Sequence, residues 1–440
     1  MKTKYLAWVA AAVLLAGCDS SLDTNPTASI DAETALGNAR GIELGLTGAY
    51  RGLQRSGLYN QELMVLPDLY ADNLDFSGTY STHQEISLRN VSAANAALSD
   101  AWSQSYAGIN RVNNVLSAIP KVTDMSEAAK GQARGEGLFL RGLFYLNLVR
   151  YFGGVPLVTE PSTGVDESSF VSRASLQESY AFIEKDLEEA ASLLSAARAD
   201  GRATKGAANA LLARAYLEEA KYTQARDKAT AVIGSGTYQL VANYRDLFTS
   251  KNSSESIMEV QYSVNNSNSQ AFWFFPQALG GRFGYTPSAS LNSAFEAGDT
   301  RKAASIGTSG ASRYGNKYFR VANGDDDVFV VRLAEMYLIR AEANAQIGAD
   351  PATVRADINV IRRRAGLADL PTTVTSKQAL LDAVLQERRV EFAMEGQRFF
   401  DLRRLGRAQA VLGITESRLL FPIPQGERDV NPNLAQNPGY

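Results

Sequence analysis

The chain has one cysteine, Cys18, and one histidine, His83, and these two residues limit its possible chemistry. A single cysteine cannot form a disulfide within the chain, and the pair cannot supply a Cys/His zinc site. A catalytic triad could use only His83 as its base, but the chain has no Gly-x-Ser-x-Gly motif to supply the nucleophile. We therefore expect no catalytic residue and no enzyme activity.

Aromatic side chains are concentrated in residues 272–285, where six of 14 residues are aromatic against 9% in the whole chain. The surrounding sequence is rich in Gly and Asn and lacks helical periodicity. Sugar rings stack their apolar C–H faces on aromatic planes, and nearby polar groups bond their hydroxyls. We therefore predict a ligand platform formed by Trp273, Phe275, Arg282 and Tyr285. The alternative is that many of these rings form the core of the segment, and the sequence leaves open which are exposed.

A second candidate binding segment is the polar loop at residues 67–89. It offers carboxylate, amide, hydroxyl and imidazole groups, which can donate or accept hydrogen bonds to a ligand. The predicted ligand contacts in this segment are Asp72, Asn73, Tyr80 and His83. The alternative interpretation is an ordinary polar surface loop.

Three glutamates, Glu387, Glu391 and Glu395, follow one another at intervals of four residues, so a helix would place them in one row. Such a row needs cations from other elements, which predicts a partly buried ion-pair network between helices. The arginines interleaved with the glutamates are Arg388, Arg389 and Arg398. The alternative is the catalytic carboxylate pair of a glycoside hydrolase, which needs two acids about 5–10 Å apart.

The only acidic run that suggests a metal ion is Asp325–Asp327. Its carboxylates could bind calcium, although it lacks the spaced ligands and the glycine of an EF-hand loop. The preferred interpretation is that the run places negative charge near the start of the following helix, which the helix dipole favours. We therefore expect no metal site and no cofactor, with calcium as the alternative.

Helical periodicity predicts the scaffold that must position these candidate sites. The expected helices cover residues 31–56, 98–119, 127–152, 174–197, 204–219, 222–234, 330–347, 351–365 and 376–396. Several form pairs joined by short turns, with the alternation of small and large residues that is typical of tetratricopeptide repeats. Trp102 falls on one of these helices and is predicted to lie in the core.

Residues 235–328 interrupt the helical pattern. They are rich in Asn, Ser, Gly and aromatic residues, and only short runs such as residues 257–262 have the alternation of a strand. We therefore predict a mainly α fold, with a tetratricopeptide-like helix-pair scaffold and a large, irregular, loop-rich insertion that contains short strands. Residues 31–440 are expected to form a single domain, with the ligand site in the insertion at about 235–328.

The first 17 residues have the pattern of a secretory signal, with a basic start and then about twelve uncharged, mostly apolar residues. This run is too short to cross a bilayer, which needs roughly 20 residues. It ends at Cys18 after Leu-Ala-Gly, which resembles the lipobox of bacterial lipoproteins. We predict a lipoprotein signal peptide at 1–17, lipidation such as palmitate at Cys18, and a flexible tether at 18–30. The alternative is a plain secretory signal with an accidental cysteine.

Taken in order along the chain, several segments resemble the SusD/RagB family of outer-membrane nutrient-binding lipoproteins. The most specific is the segment from Glu387 to Gly406. The other matching segments are Cys18–Asp23, Arg141–Val158, Lys205–Leu217, Val331–Ala343, Pro422–Gln425 and Asn431–Tyr440. Each segment alone would be weak, but their order and spacing cover residues 18–440.

This resemblance implies a tetratricopeptide-like scaffold that carries an irregular ligand-binding half, with residues 67–89 near the ligand face. It also implies a surface-exposed lipoprotein of the outer membrane that acts as a lid over a SusC-like TonB-dependent transporter. Members of the family capture glycans, or in some cases peptides, without chemistry. The formal net charge of −3 agrees with the absence of a nucleic-acid partner.

We therefore predict a protein that captures an oligosaccharide or polysaccharide and delivers it to the transporter. A peptide-binding member of the same family is the first alternative. The others are a lipid-anchored glycoside hydrolase and a helical-repeat adaptor. The sequence does not identify the glycan, because aromatic platforms contact ring faces and not linkages.

Overall fold

The computed structural model describes residues 31–162 and 170–440. Cys18 and the predicted signal and tether lie outside the described residues. The helices are α1 Ala32–Ala35, α2 Ala39–Gly52, α3 Glu62–Tyr70, α4 Ser81–Ser87, α5 Ala96–Ala118, α6 Glu127–Phe152, α7 Leu176–Leu193, α8 Lys205–Glu218, α9 Tyr222–Gly234, α10 Asp246–Thr249, α11 Gln270–Phe274, α12 Ala289–Ala294, α13 Arg301–Ser305, α14 Leu333–Gln346, α15 Pro351–Arg364, α16 Lys377–Glu391, α17 Arg398–Arg404, α18 Ala408–Leu412 and α19 Gln425–Val430.

The starts of the scaffold helices follow from their capping residues. Ser175 and Glu178 form a capping box at the start of α7, in which each side chain accepts a hydrogen bond from the backbone of the other. The Thr204 side chain accepts from the amide of Ala207 at the start of α8, at 3.1 Å. These side chains satisfy amides that the helix itself leaves without partners, which fixes where each helix begins.

Consecutive scaffold helices pack against each other, as expected for helix pairs. Helix α6 packs on α5 and α7, α8 packs on α7 and α9, and α14 packs on α9, α15 and α16. Helix accounts for 55% of the described residues and strand for 6%, which confirms a mainly α fold with short strands. Trp102 on α5 is 2% exposed, so its predicted place in the core is also confirmed.

Six short strands form three separate antiparallel pairs among the described residues. The strands are β1 Leu74–Phe76, β2 Ser256–Val260, β3 Tyr285–Pro287, β4 Ile306–Ser309, β5 Ser312–Gly315 and β6 Val328–Arg332. Strand β1 pairs with β3, β2 with β6 and β4 with β5. The β1–β3 pair joins the polar loop at residues 67–89 to the aromatic segment at residues 272–285.

Several predicted helices are shorter than the periodicity indicated. Those expected at 174–197 and 330–347 cover Leu176–Leu193 and Leu333–Gln346. The helix expected at 31–56 is divided, because Asn38 adopts an extended backbone and caps α2 through a hydrogen bond from the amide of Gly41, at 2.9 Å. The helix expected at 376–396 ends at Glu391. Beyond it, Met394 and Gly396 have φ values of +62° and +70°, outside the right-handed helical region.

The insertion shares a hydrophobic core with the scaffold. One cluster of buried side chains runs from Leu36 to Leu434 and includes rings from residues 244–318. Helices α14, α15 and α16 enclose a second, smaller cluster. Among residues 31–162 and 170–440, no helix combines the length and the apolar character that a membrane crossing requires.

Candidate functional site

The structure brings the two predicted binding segments together at one exposed aromatic surface. Tyr80 and Trp273 lie edge to face, with ring centroids 5.5 Å apart and planes at 73°. Phe272 lies beside Trp273, at 5.6 Å between centroids. The guanidinium carbon of Arg282 lies 5.2 Å from the Tyr80 centroid and 5.5 Å from that of Trp273. We call Tyr80, Phe272, Trp273 and Arg282 the aromatic platform.

The platform is open to solvent. Tyr80 is 43% exposed and Phe272 is 40% exposed. Trp273 is half-buried and Arg282 is exposed. Neighbouring aromatic side chains that reach the surface form an apolar patch, and such patches often mark binding sites. The platform could therefore stack a sugar ring on its aromatic faces and bond the hydroxyls with the guanidinium.

Tyr285 and His83 support the platform from below. Tyr285 is 1% exposed, and its ring lies 6.1 Å from Trp273 and 5.5 Å from His83 between centroids. Gln61 donates a hydrogen bond to the Tyr285 hydroxyl at 2.9 Å, and burial raises the pKa of that hydroxyl well above its usual value. Both residues thus lie where the sequence predicted a site, but as buried supports and not as exposed contacts.

His83 has an acidic partner in this buried layer. Its Nε2 lies 3.0 Å from Oε2 of Glu62, and its side chain is 7% exposed. The other ring nitrogen, Nδ1, has no hydrogen-bond partner among the described residues. The imidazole is therefore held under the platform, and no described nucleophile is hydrogen-bonded to it.

Backbone hydrogen bonds close the aromatic segment on itself. The amide of Arg282 donates to the carbonyl of Phe272 and that of Gly284 donates to Trp273, both at 2.7 Å. The amide of Phe283 donates to Phe275 at 2.9 Å. These bonds hold the ends of the segment side by side, which places Arg282 over the ring of Trp273.

The polar loop is tied to the same segment. Strand β1 pairs with β3 in a register that sets Phe76 opposite Tyr285. Ser77 extends the contact, because its amide donates to Gly284 at 3.0 Å and its hydroxyl donates to Phe283 at 2.6 Å. Tyr80, a few residues further on, is thereby fixed over Trp273.

Phe275 does not belong to the platform, although the sequence placed it there. It is 8% exposed, and its ring packs on Tyr314 at 4.6 Å between centroids. Since it lies inside the insertion, Phe275 contributes to folding of the segment. Phe272, which is not among the predicted ligand contacts, is exposed instead.

Asp72 and Asn73 also have partners within the protein. Asp72 forms ion pairs with Arg398 at 2.7 Å and with Arg389 at 2.9 Å. Burial opposes its charge, but the hydrogen bond and charge of Arg398 outweigh this and lower the pKa of Asp72. Asn73 is fully buried and donates to Asp68 at 2.5 Å. Both residues anchor the polar loop to the scaffold. Asn73 is buried away from the surface, so it is not placed to contact a ligand, and the predicted ligand contact of the partly buried Asp72 stays a prediction.

The three glutamates in a row form the predicted buried network and not an accessible catalytic pair. Glu391 is fully buried and pairs with Arg332 and Arg364 at 2.5 Å and with Arg301 at 3.0 Å. Burial opposes its charge, but these three cations outweigh it and hold the pKa of Glu391 well below its usual value. The arginines interleaved in the sequence pair elsewhere: Arg388 with Asp401, and Arg389 and Arg398 with Asp72.

Asp325–Asp327 does not fit a calcium ion. The ammonium of Lys251 lies 3.7 Å from Asp325 and 3.4 Å from Asp327, so a cation of the chain already faces these carboxylates. In the described part of the chain, no three Asp, Glu, His or Cys side chains are grouped to share a metal ion. The run is followed by β6 and not by a helix, so its predicted interaction with a helix start is wrong.

Comparisons with known proteins agree with this architecture. The model of a family described as "Starch-binding associating with outer membrane" matches residues 22–217, and the SusD family model matches residues 313–414. SusD-like protein P38 of Formosa agariphila is 25% identical, over 97% of this chain and 96% of the relative. The starch-binding protein SusD of Bacteroides thetaiotaomicron is 25% identical over the full length of both chains.

Solved structures show the same fold. A laminarin-binding SusD-like protein superposes with a TM-score of 0.81 at 29% identity, over 92% of this chain and all of the other. The two family models span most of the sequence and the relatives match from end to end. The chain belongs to the SusD/RagB family.

Proposed function

We propose that this protein captures an oligosaccharide or polysaccharide at the cell surface and delivers it to a SusC-like TonB-dependent transporter of the outer membrane. The observation that carries the proposal is the aromatic platform. Two rings from distant segments, the exposed Tyr80 and the half-buried Trp273, meet at an edge with Arg282 beside both. Rings with polar neighbours in this arrangement suit the apolar faces and the hydroxyl groups of sugars.

Binding at the platform is passive. Stacking and hydroxyl contacts on an open surface give modest affinity, which lets the ligand leave for the transporter. The buried layer of Tyr285 and His83 keeps the rings above it in place before the ligand arrives, so little conformational order is lost on binding.

The names of relatives favour a glycan over a peptide. One full-length relative is named for starch and one solved structure for laminarin, both polysaccharides. Peptide binding by the same platform is the alternative within the family. A glycoside hydrolase that uses the glutamate row is disfavoured, because Glu391 is fully buried among arginines and cannot reach a glycosidic bond.

Attachment and partner follow from the sequence resemblance. Lipid attachment at Cys18 would hold the protein on the outer membrane, and residues 18–30 would act as the tether. The helical scaffold is the surface that we assign to the transporter, because the platform must stay free for the ligand. The single domain of residues 31–440 then acts as one lid.

Replacement of Tyr80 tests the proposed site. Tyr80→Ala removes an exposed ring and should weaken glycan binding about five- to tenfold, or about 1–1.4 kcal/mol, the size of one aromatic stacking contact. Thermal unfolding should hardly change, because the ring is largely in solvent. Isothermal titration calorimetry of the purified protein against a glycan and peptide panel measures the affinity. Differential scanning calorimetry measures thermal unfolding.

Leu88→Ala is the matched control, since Leu88 is 68% exposed and lies just beyond the helix that follows Tyr80. It should leave affinity unchanged. Equal glycan affinity in Tyr80→Ala and the wild type would reject the site. If the protein binds peptides and no glycan, the proposed ligand is a peptide and not a glycan.

A further inference from the structure

Arg282 is the one acidic or basic residue in a long, otherwise uncharged stretch. Residues 260–295 contain no Asp, Glu or Lys and no other Arg, although charged residues make up 21% of the chain. Their polar residues are mostly Asn, Ser and Gln. The positive charge of the aromatic platform therefore comes from a single position in the insertion.

Arg282 has no anionic partner in the protein as described. None of the carboxylates in residues 31–162 and 170–440 lies within 4.0 Å of its guanidinium. Glu62, the acid under the platform, contacts His83 and is buried. Asp75 is exposed on β1, and it does not pair with Arg282. The arginines of the glutamate network, by contrast, each face at least one carboxylate.

The guanidinium is held in position without being neutralised. Its carbon lies within 5.5 Å of both the Tyr80 and the Trp273 centroids, a geometry in which the rings attract a cation. Its backbone amide is fixed by the bond to Phe272. An arginine that is restrained in this way loses less freedom on binding, and its planar set of N–H donors matches the two oxygens of a carboxylate or a sulfate.

We infer that the ligand of the platform is an anionic glycan, with uronate carboxylates or sulfate esters that pair with Arg282. The inference rests on the proposed function and names the substrate class of the same site. A sugar ring stacks on Tyr80 and Trp273, and the acidic group on that sugar or its neighbour accepts from the guanidinium. The protein has a net negative charge, so the preference for an anion must arise from this local contact and not from the overall field.

Polysaccharides in matched charged and neutral forms test the inference. The probes are polygalacturonate with its methyl ester, alginate with its propylene glycol ester, and a sulfated galactan with its desulfated form. The wild-type protein should bind the charged member of at least one pair about tenfold more tightly, the size of one charge-assisted contact. The preference should shrink as salt rises, because the contact is near the surface. The pair that shows this preference indicates whether the ligand carries carboxylates or sulfates.

Arg282 variants assign the preference to this residue. Arg282→Gln should bring the two members of the pair to nearly equal affinity, and Arg282→Lys should keep part of the difference, because it retains the charge but not the paired donors. Arg40→Gln is the control, since Arg40 is an exposed arginine on α2 outside the two binding segments. It should leave the preference intact.

The outcomes separate this inference from the proposed function. If the neutral member of each pair binds more tightly than the charged member, and Tyr80→Ala abolishes that binding, the inference of an anionic ligand is wrong but the platform remains the glycan site. A charge preference that survives in Arg282→Gln would overturn the role of Arg282. Failure of the wild type to bind any member of the three pairs would overturn the anionic ligand, and the glycan and peptide panel would then decide the proposed function by itself.

Discussion

At the scale of single residues, a polar side chain in a candidate binding loop can pair with the rest of the protein instead of a ligand. Asp72 and Tyr80 lie in the same loop, and sequence reasoning gave both the same role. The structure pairs Asp72 with two arginines of the C-terminal helices and leaves Tyr80 exposed. Only the distant Arg389 and Arg398 distinguish them, and no local signal near residue 72 reveals that contact.

Burial also gives Glu259 an unusual charge state. It is 2% exposed, one carboxylate oxygen accepts from the amide of Asn252 at 3.0 Å, and the other has no partner among the described residues. Burial raises the pKa of Glu259 from 4.5 to about 7, with a contribution from the charge of Asp327. The folded protein therefore holds this proton more tightly than the unfolded chain does.

The sign of the pH effect follows. Because its pKa is raised on folding, Glu259 contributes stability below pH 4.5 that is lost as the pH rises to about 7. Glu259→Gln cannot ionise, so its stability relative to the wild type should rise between pH 4.5 and pH 8, by about 2–3 kcal/mol. Urea unfolding at the two pH values measures this. If the free energies of unfolding of the variant and the wild type differ by the same amount at both pH values, the raised pKa of Glu259 is contradicted.

At the scale of elements, the long helices were predictable and the site was predictable only in part. Apolar periodicity over 13 to 26 residues is a strong local signal, and α5, α6, α8 and α9 lie within a few residues of the expected bounds. The β1–β3 pair has three residues in each strand, too few for a pattern. Composition therefore marked the two binding segments, but only the folded chain shows that they meet.

The same limit applies to which rings of the aromatic segment are exposed. Trp273 and Phe275 are two residues apart, yet one lies in the platform and the other packs on Tyr314. The turn that follows Phe275 and brings Arg282 back beside Phe272 depends on Gly281. A Cβ atom there would lie 2.0 Å from the carbonyl oxygen of Phe275, closer than real atoms approach.

Gly281→Ala should therefore disturb the platform more than the fold. The segment must shift to admit the methyl group, which moves Arg282 away from the rings, so glycan affinity should fall at least tenfold. The melting temperature should change little, because the segment lies at the surface of the insertion. Gly48→Ala is the control: nothing lies within 4 Å of its added methyl group, and alanine favours the surrounding helix. Unchanged affinity in Gly281→Ala would show that the turn does not position the platform.

At the scale of the whole molecule, the buried ion-pair network joins the scaffold to the insertion. The glutamate row of α16 and the segment that follows it receives Arg301 and Lys317 from the insertion. Arg332, at the end of β6, and Arg362 and Arg364 on α15 supply further cations. The periodicity of the glutamates predicted that cations must come from other elements. It could not say which elements, because the cations lie 25 to 90 residues away from the glutamates in the sequence.

This network should control unfolding of the protein in acid. The pKa of Glu391 is held well below 4.5, so its contribution to stability is present above pH 4.5 and is lost as the pH falls below it. Glu391→Gln should lower the free energy of unfolding by about 3–5 kcal/mol at pH 7, because it leaves three buried arginines short of a carboxylate. The deficit should narrow in acid, where wild-type Glu391 takes up a proton. Asp369→Asn, which removes an exposed pair with Arg363, should have little effect at either pH. Urea unfolding at pH 7 and at the lowest pH where both proteins fold measures the loss of stability. If Glu391→Gln loses as little stability at pH 7 as Asp369→Asn, the network does not hold the scaffold and the insertion together.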